Sequence, residues 1–359
     1  MQKPRESQNG KARDIVVIGG SAGSLTVTQA LLEQLDPAIP AALFLVIHQS
    51  SQSPGTMPTM LARSSRLPIV SPADGTPIRT GHVYVAPPNA HLAIQDDRVR
   101  VLRGPAENMH RPSIDTLFRS AAVTYGPRVV GVVLSGSLDD GTAGLEAIKS
   151  CGGVTVVQSP QEAPFPSMPN SALAAVSIDH CLPVSGIASL LGRLAATPLP
   201  EGTKPAEVPD HLKVETDFAL MARDIDDMDR IGPVSSYICP TCNGSLWEVD
   251  SAGMLRFRCH VGHAFSAEAL LAEQGYAVER ALYTALRLLE ERGRAARQLA
   301  NRRVGGDAGD AFGLEARSAE LEETARVLRR LVVQAARLNE SKITASEPEI
   351  EESLPDQKP

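Results

Sequence analysis

One stretch of eleven residues, Asp14 to Ser24, constrains the fold more than any other part of the chain. Ile15, Val16, Val17 and Ile18 form an unbroken β-branched run, the pattern of a strand buried on both faces. Gly19 and Gly20 follow at once, then Ser21, Ala22 and Gly23. Beyond Ser24 the apolar spacing turns helical through Leu25, Thr28, Leu31, Leu32 and Leu35. The strand-to-helix turn is therefore tight, and its small residues let the backbone bend and hold the Ser21 hydroxyl out at the carboxyl end of a sheet. Gly19 to Gly23 also fits G-x-S-x-G, the nucleophile-elbow pattern. A phosphate-cradling turn of a dinucleotide domain begins with the same strand, but its fingerprint places glycine where Ser21 stands.

The alternation continues. Apolar runs predict strands at 42–47, 69–70, 82–86, 128–134 and 154–157, and a hairpin over 91–94 and 99–102 turned at Asp96-Asp97. Helical spacing predicts helices near 55–63, 113–124, 142–150, from 169, and over 186–194. Strands and helices alternating this regularly imply an α/β class fold, a doubly wound, mainly parallel sheet with helices on both faces. Reactive groups then gather at the carboxyl ends of the strands. Ser21, His48 and the Asp139-Asp140 pair each follow such an end. A serine hydroxyl needs a base and an orienting acid to become a nucleophile, and these three positions supply the set. Taken singly, His48 reads equally as a structural strand-end residue, and either aspartate as a helix cap or turn residue. The chain order Ser, His, Asp differs from the Ser, Asp, His of α/β-hydrolases, so a different doubly wound hydrolase is implied.

Residues 1–12 read as a disordered arm and 13–196 as the α/β domain. Residues 197–236, rich in proline and acids, read as a linker holding at most one helix. Residues 237–265 form a small cysteine-histidine module. Residues 266–341 carry two helical patterns broken at Gly305-Gly306, the second with Leu321, Leu328 and Ala335 every seven residues and Leu331 and Leu338 offset. That spacing predicts a helical hairpin or short coiled coil, with self-association as one way to cover its stripe. Residues 342–359 read as a disordered acidic tail.

Cys239 and Cys242 on one knuckle, with Cys259 and His263 on a second, have the spacing of a closed tetrahedral structural zinc site. His260 directly follows Cys259 and is a poor fourth ligand. Trp247, between the knuckles, is read as the module's small core, and Cys151 and Cys181 as buried apolar residues. The formal net charge of −7 argues against nucleic acid or an anionic membrane as a partner. The first residues lack the apolar core of a signal peptide, and no apolar run approaches membrane-spanning length, so a cytoplasmic location is expected.

Four segments together resemble the catalytic domain of the chemotaxis receptor methylesterases, the CheB family. They are Asp14 to Ser24, Val46-Ile47-His48, His110 to Phe118 and Leu134 to Gly144, with Pro166 to Ala172 as a fifth. The resemblance covers roughly residues 13 to 195. It implies hydrolysis of glutamate methyl esters on chemoreceptor helices, with glutamine deamidation as a second activity and no catalytic cofactor. By position it makes Ser21 the nucleophile, His48 the base and Asp140, rather than Asp139, the acid. It puts backbone amides near the elbow, at Ala22, and at Ser137 in the oxyanion hole, and places Arg111 and Ser113 along the cleft. A surface charge and a helix cap are the competing readings for that last pair. The chain departs from the family at the elbow, with Ser21-Ala22-Gly23-Ser24 for Ser-Thr-Gly-Gly, and before the acid, with Gly136-Ser137-Leu138 for Gly-Met-Gly. The family's usual receiver domain does not precede the first strand, so control is expected from partners in trans rather than by phosphorylation in cis. The competing function is a signalling adaptor that uses the α/β domain and zinc module for docking. A nucleotide-binding domain ranks third. On the leading reading, residues 237–341 are a recognition appendage dispensable for hydrolysis of a small ester.

Overall fold

The structure, a computed structural model, describes residues 12–203, 207–222, 225–251, 253–302 and 308–344. The chain up to Leu270 is one compact unit, and the chain from Leu271 is a second.

Apolar β-branched runs make the first unit's central strands and amphipathic stretches its helices. In order these are β1 (Ile15–Gly20), α1 (Ser24–Gln34), β2 (Ala42–Ile47), α2 (Met57–Ala62), β3 (Ile69–Val70), β4 (Thr76–Pro77), β5 (Val83–Val85), β6 (His91–Gln95) and β7 (Arg98–Leu102). There follow α3 (Ile114–Tyr125), β8 (Val129–Val133), α4 (Thr142–Ser150), β9 (Val154–Gln158), α5 (Ser167–Ala175), β10 (His180–Leu182) and α6 (Val184–Ala196). Seven strands lie in the order β10-β9-β8-β1-β2-β5-β3, every pairing parallel. Along β1 the side chains divide by period two. Val16 and Ile18 join Leu31, Leu32, Ile187 and Leu191 from α1 and α6, while Ile15 and Val17 join Leu117, Phe118, Leu145 and Ile148 from α3 and α4. Burying each such side chain is worth about 1.5–3 kcal/mol, and both faces are covered, as the continuous apolar runs require. The order of strands reverses at β1, flanked by β2 and β8, so the crevice above these three strand ends is the switch point of the sheet. The hairpin β6–β7 is present and carries β4 in a separate antiparallel sheet.

The expected linker is not one. It contains α7 (Asp210–Ala219), whose Leu212 is buried in the core beneath α3 and whose Glu215 is fully buried. The cysteine-histidine module follows as an antiparallel sheet of β11 (Val234–Ile238), β12 (Ser245–Ser251), β13 (Met254–Cys259) and β14 (Ala264–Ser266). It belongs to the same compact unit as the parallel sheet, so the picture of an appendage on a permissive tether is corrected. The reason is a buried chain of charges. Glu107 accepts from Arg119 and Arg258, and Glu215 accepts from Arg258 and, through both oxygens, from Arg256, all nearly or fully inaccessible to solvent. Along β13 the arginines alternate with Phe257 and Cys259, so one face enters the module's core and the other faces these acids. The module's core is Leu246, Phe257, Phe265 and Leu270. Trp247 instead packs, partly buried, against Val214, Phe218, Met228 and Val249, on the α7 side. Cys151 is buried as expected, but Cys181 on the edge strand β10 is exposed.

The second unit holds most of α8 (Ala267–Arg302) and α9 (Ala308–Thr344). These run antiparallel, with Arg297 paired to Glu322, Arg329 to Glu290, and the Ser318 hydroxyl donating to the Gly293 carbonyl at 2.9 Å. The buried seam is Ser318, Ala325 and Val332, with Leu321, Leu328 and Ala335 half-buried beside it and Leu331 exposed. The side chain of Leu338 and the Gly305-Gly306 break lie outside the described residues. So do the expected arm and acidic tail, apart from Ala12, which bridges Pro198, and residues 342–344, which end α9.

The packing of α3 on α4 depends on Gly144, where an added Cβ would lie 2.4 Å from Phe118 Cβ. We expect Gly144→Ala to destabilise the protein by about 1–3 kcal/mol through overpacking, read from the urea midpoint at unchanged slope.

Candidate active site

Three adjacent strand ends carry three side chains. Ser21 follows β1 and its amide donates to the Ser135 carbonyl after β8 at 2.9 Å, which fixes the elbow. His48 follows β2, and its amide donates to the Gly20 carbonyl at 3.0 Å. Asp140 sits in the turn between β8 and α4. His48 Nδ1 lies 3.1 Å from Ser21 Oγ, and His48 Nε2 lies 2.8 Å from Asp140 Oδ2. With Nε2 protonated and donating to the carboxylate, Nδ1 is left to accept from the serine hydroxyl.

Asp140 is 2 % exposed and fully occupied. Besides His48 it accepts from the Ile114 amide at 2.7 Å, the Asp115 amide at 3.2 Å, the Ser113 hydroxyl at 3.0 Å and Asn108 Nδ2 at 3.0 Å. Two of these are orphan amides of the first turn of α3, so the carboxylate also faces that helix's positive end. Burial pushes the carboxyl up, but the hydrogen bond and charge of His48, then His110 and the Ile114 amide, outweigh it and hold Asp140 well below the usual carboxylate range. Asp115 returns the favour to α4, accepting from the Gly141 amide at 3.0 Å and the Gly144 amide at 2.7 Å. Burial first, and the Asp140 charge second, raise its carboxyl to about 7. Asn108 Nδ2 bridges the two carboxylates, donating to Asp115 Oδ2 at 2.8 Å as well as to Asp140.

His110 stacks on His48 with ring centroids 3.6 Å apart, and burial followed by the His48 charge lowers its pKa to about 4, so a neutral ring lies against His48. On the nucleophile side, Gly136 approaches so closely that a Cβ there would lie 2.9 Å from Ser21 Cβ. The following Ser137 amide and the Ala22 amide have no hydrogen-bond partner among the described residues, whereas the Gly136 amide is taken by Phe165. Leu138 is held at φ 62°, a conformation a leucine adopts at a cost of about 1–2 kcal/mol, in the turn that presents Ser137. A cavity of about 450 Å³ lined by Asp115, Asp139, Arg256 and Ser266 is walled by neither Ser21 nor His48, so it is not the crevice above the nucleophile.

The structure thus brings together Ser21, His48 and Asp140, with Ala22 and Ser137 near Ser21. The other two expected residues have partners of their own. Ser113 is fully buried, bonds Asp140 and makes no cap, so it stands behind the acid rather than in the cleft. Arg111 is half-buried rather than a free surface charge: its guanidinium clamps Asn89 Oδ1 at 2.6 and 2.9 Å and the Gly104 carbonyl at 2.8 Å, before a cis Arg111–Pro112 bond. Sequence reasoning missed Asn108, His110 and Asp115 as site residues, although two lie inside the recognised 110–118 segment.

The four sulfur and nitrogen ligands also converge. Cys239, Cys242, Cys259 and His263 place one ligand atom each within 4.8 Å of one another. Three of the six edges, 3.6 Å for Cys242–Cys259, 3.5 Å for Cys259–His263 and 3.8 Å for Cys239–His263, have the length expected in a tetrahedral site. Bonds of about 2.3 Å to sulfur and 2.1 Å to nitrogen give edges of that size. His260 lies instead against Gly244.

Residues 16–191 match the family model described as CheB methylesterase. A putative protein-glutamate methylesterase/protein-glutamine glutaminase of Leptospira interrogans is 37% identical over 182 residues, which are 50% of this chain and 94% of that protein. The chain belongs to the CheB methylesterase family. A protein-glutamate methylesterase/protein-glutamine glutaminase of Anaeromyxobacter dehalogenans is 35% identical over 181 residues, 50% of this chain and 53% of that one. The crystal structure of the Thermotoga maritima CheB methylesterase catalytic domain is 28% identical, with a TM-score of 0.48 over 50% of this chain and 98% of that one. The family match ends before α7, so the CheB region is the parallel-sheet domain and the antiparallel module lies outside it. Among the described residues no helix is long and apolar enough to cross a membrane.

Asp139 supplies a pH test of this geometry. Burial, then Glu268 and Asp140, raise its carboxyl to about 6 against the Ser266 hydrogen bond. A raised carboxyl adds stability that is complete below the ordinary carboxylate pKa of about 4 and is lost as pH rises through the folded value. The melting temperature of Asp139→Asn minus that of wild type should therefore climb between pH 4.5 and 7.5. A gap that stays flat or falls would contradict the assignment.

Proposed function

We propose that this chain is a serine hydrolase that removes methyl esters from glutamate side chains of chemoreceptors and deamidates receptor glutamines. The observation that carries the reading is the hydrogen-bonded relay from Ser21 through His48 to Asp140 across three adjacent strand ends. An adaptor has no use for a half-buried serine hydroxyl aimed at a histidine whose far nitrogen is bound to a saturated carboxylate. A nucleotide-binding turn would leave the same groups unexplained.

In this mechanism His48 Nδ1 takes the Ser21 proton as Oγ attacks the γ-carbonyl of the glutamyl ester. The new imidazolium is held by Asp140, which stays ionised. The Ala22 and Ser137 amides receive the oxyanion, each donor worth about 3 kcal/mol in such sites. Collapse expels methanol, which takes the proton back from His48, and the acyl-enzyme remains. Water then enters, His48 removes its proton, and the carboxylate product leaves Ser21 reprotonated. A glutamine amide follows the same path with ammonia as leaving group.

Zinc is the ion that suits Cys239, Cys242, Cys259 and His263, and its role there is to hold two knuckles together rather than to take part in the hydrolysis. The α8–α9 hairpin, with its exposed Tyr276, Val278, Tyr283 and Leu288, is the element we assign to partner docking or self-association.

Ser21→Ala should abolish methanol release from a methylated receptor with an unchanged melting temperature. Asp140→Asn presents an amide to His48 Nε2 and favours the wrong tautomer, so kcat should fall by about 10⁴-fold. Methanol release by Ser21→Ala at the wild-type rate would end the reading. Elemental analysis should find zinc in the wild-type chain and none in Cys239→Ser/Cys242→Ser.

A further inference from the structure

The module outside the family match is attached to the catalytic acid by one side chain. Asn108, 5 % exposed, uses its amide in both directions. Its Oδ1 accepts from the Ser266 amide at 2.9 Å, and its Nδ2 donates to Asp140 at 3.0 Å and Asp115 at 2.8 Å. The backbone around it is held by the same strand: the Asn108 amide donates to the Ala264 carbonyl at 2.8 Å, and Ala264 bridges Glu107. Asn108 and Met109 both adopt positive φ, 49° and 66°, so the turn that aims this amide is not one an unsupported chain favours. Next to it, the Ser266 hydroxyl donates to Asp139 at 2.9 Å.

The strand doing this begins where the metal knuckle ends. Cys259 and His263 close their turn through a Cys259 amide to His263 carbonyl bond at 2.9 Å, and Ala264 is the next residue. Within that turn the Gly262 carbonyl accepts from Arg258 at 2.9 Å, and Arg258 also donates to Glu107, which neighbours Asn108. β14 is three residues long and Phe265 is its one large side chain in the module's small core, so order supplied by the ligands beside it bears directly on the strand.

We propose that Asn108 is a positioning residue of the triad, and that the metal-held module aims it through β14, so that filling of the Cys239, Cys242, Cys259 and His263 site sets whether Asp140 and His48 are poised for hydrolysis. The proposal rests on the hydrolase reading above. It reverses the expectation that the module is dispensable for a small ester. Without β14 the Asn108 amide loses its anchor, the two carboxylates lose their shared donor, and the Asp140 turn is free to shift. A displacement of about 1 Å at a catalytic group costs on the order of 100-fold in rate.

The test uses the full chain in three forms: zinc-loaded, stripped by a chelator with metal content measured, and stripped then reloaded with zinc. Each is read by kcat and KM on a small ester, by labelling of Ser21 with a fluorophosphonate, and by hydrogen exchange over residues 107–116 and 138–142. Stripping should lower kcat about ten- to a hundred-fold with KM little changed. It should also slow labelling and deprotect both segments while β1, β2 and β8 stay protected, and zinc should restore all of these. Asn108→Ala, carrying its full zinc, should show the same kcat loss. A stripped chain that keeps its kcat and its protection over 107–116 overturns the proposal, and so does an Asn108→Ala protein with wild-type kcat. If stripping deprotects the whole chain, Asn108→Ala alone decides by the same criterion. A loaded wild type with no Ser21-dependent turnover defeats the hydrolase reading. The exchange data then still decide the coupling, since protection of 138–142 that follows zinc supports it and protection that ignores zinc overturns it.

Discussion

The rest of the site depends on the filling of one buried carboxylate. Asp140 needs a full set of donors because an unpaired charge in the interior costs several kcal/mol. The chain provides them from three separate places: the first turn of α3, the 107–113 loop and the base itself. Each donor thereby fixes the part of the molecule it comes from. Asp140 sits on the end of α3, Asp115 from α3 sits on the end of α4, and the two helices are locked to each other and to β8. His48 has one acceptor to point at, and with His110 stacked against its ring its other nitrogen is left to face Ser21.

Behind the acid, the same demand for pairing explains why the antiparallel module docks in one orientation. Glu107 and Glu215 are as buried as Asp140, and their partners Arg119, Arg256 and Arg258 come from the parallel-sheet domain in one case and from β13 in the other two. Compared with a well-packed apolar contact such a network adds little net stability, but loss of one member strands a charge at a cost of about 3–5 kcal/mol. It therefore selects the docked arrangement against any other. This is a stronger constraint on orientation than the length or composition of residues 197–236.

How much of this is legible in the sequence follows from the distance over which each signal acts. Ser21, His48 and the Asp139-Asp140 pair could be found because each ends or follows a strand whose own apolar run marks it, and the doubly wound pattern says where strand ends go; the choice of Asp140 within the pair comes from the family resemblance. Asn108, Glu107 and Asp115 could not, because their meaning lies in partners up to 158 residues away, such as Ser266 for Asn108. In isolation each is an ordinary loop polar or helix-start acid. Ser113 before a helix has the look of a cap, and only the fold shows its hydroxyl turned to Asp140. Helix α7 hides for a related reason: a buried Glu215 cannot be told from a solvated acid by spacing. One missed signal was local. Arg256 and Arg258 alternate with Phe257 and Cys259, which gives β13 a charged face that must find acids once the other face is buried.

The triad thus has a closed end and an open end. The acid is sealed by α3, the 107–110 turn and β14, while burial falls from Asp140 through half-buried Ser21 and Ala22 to exposed Gly23. The free amides of Ala22 and Ser137 lie at the open end, and the saturated carboxylates at the closed one. On the proposed reading, an ester reaching Ser21 comes in over the elbow and the half-buried 137–138 turn. The module meets the relay through Asn108, on the Asp140 side and away from Ser21. On the proposed reading, recognition and alignment are therefore separated across the relay, with Ser21 facing one and Asp140 the other.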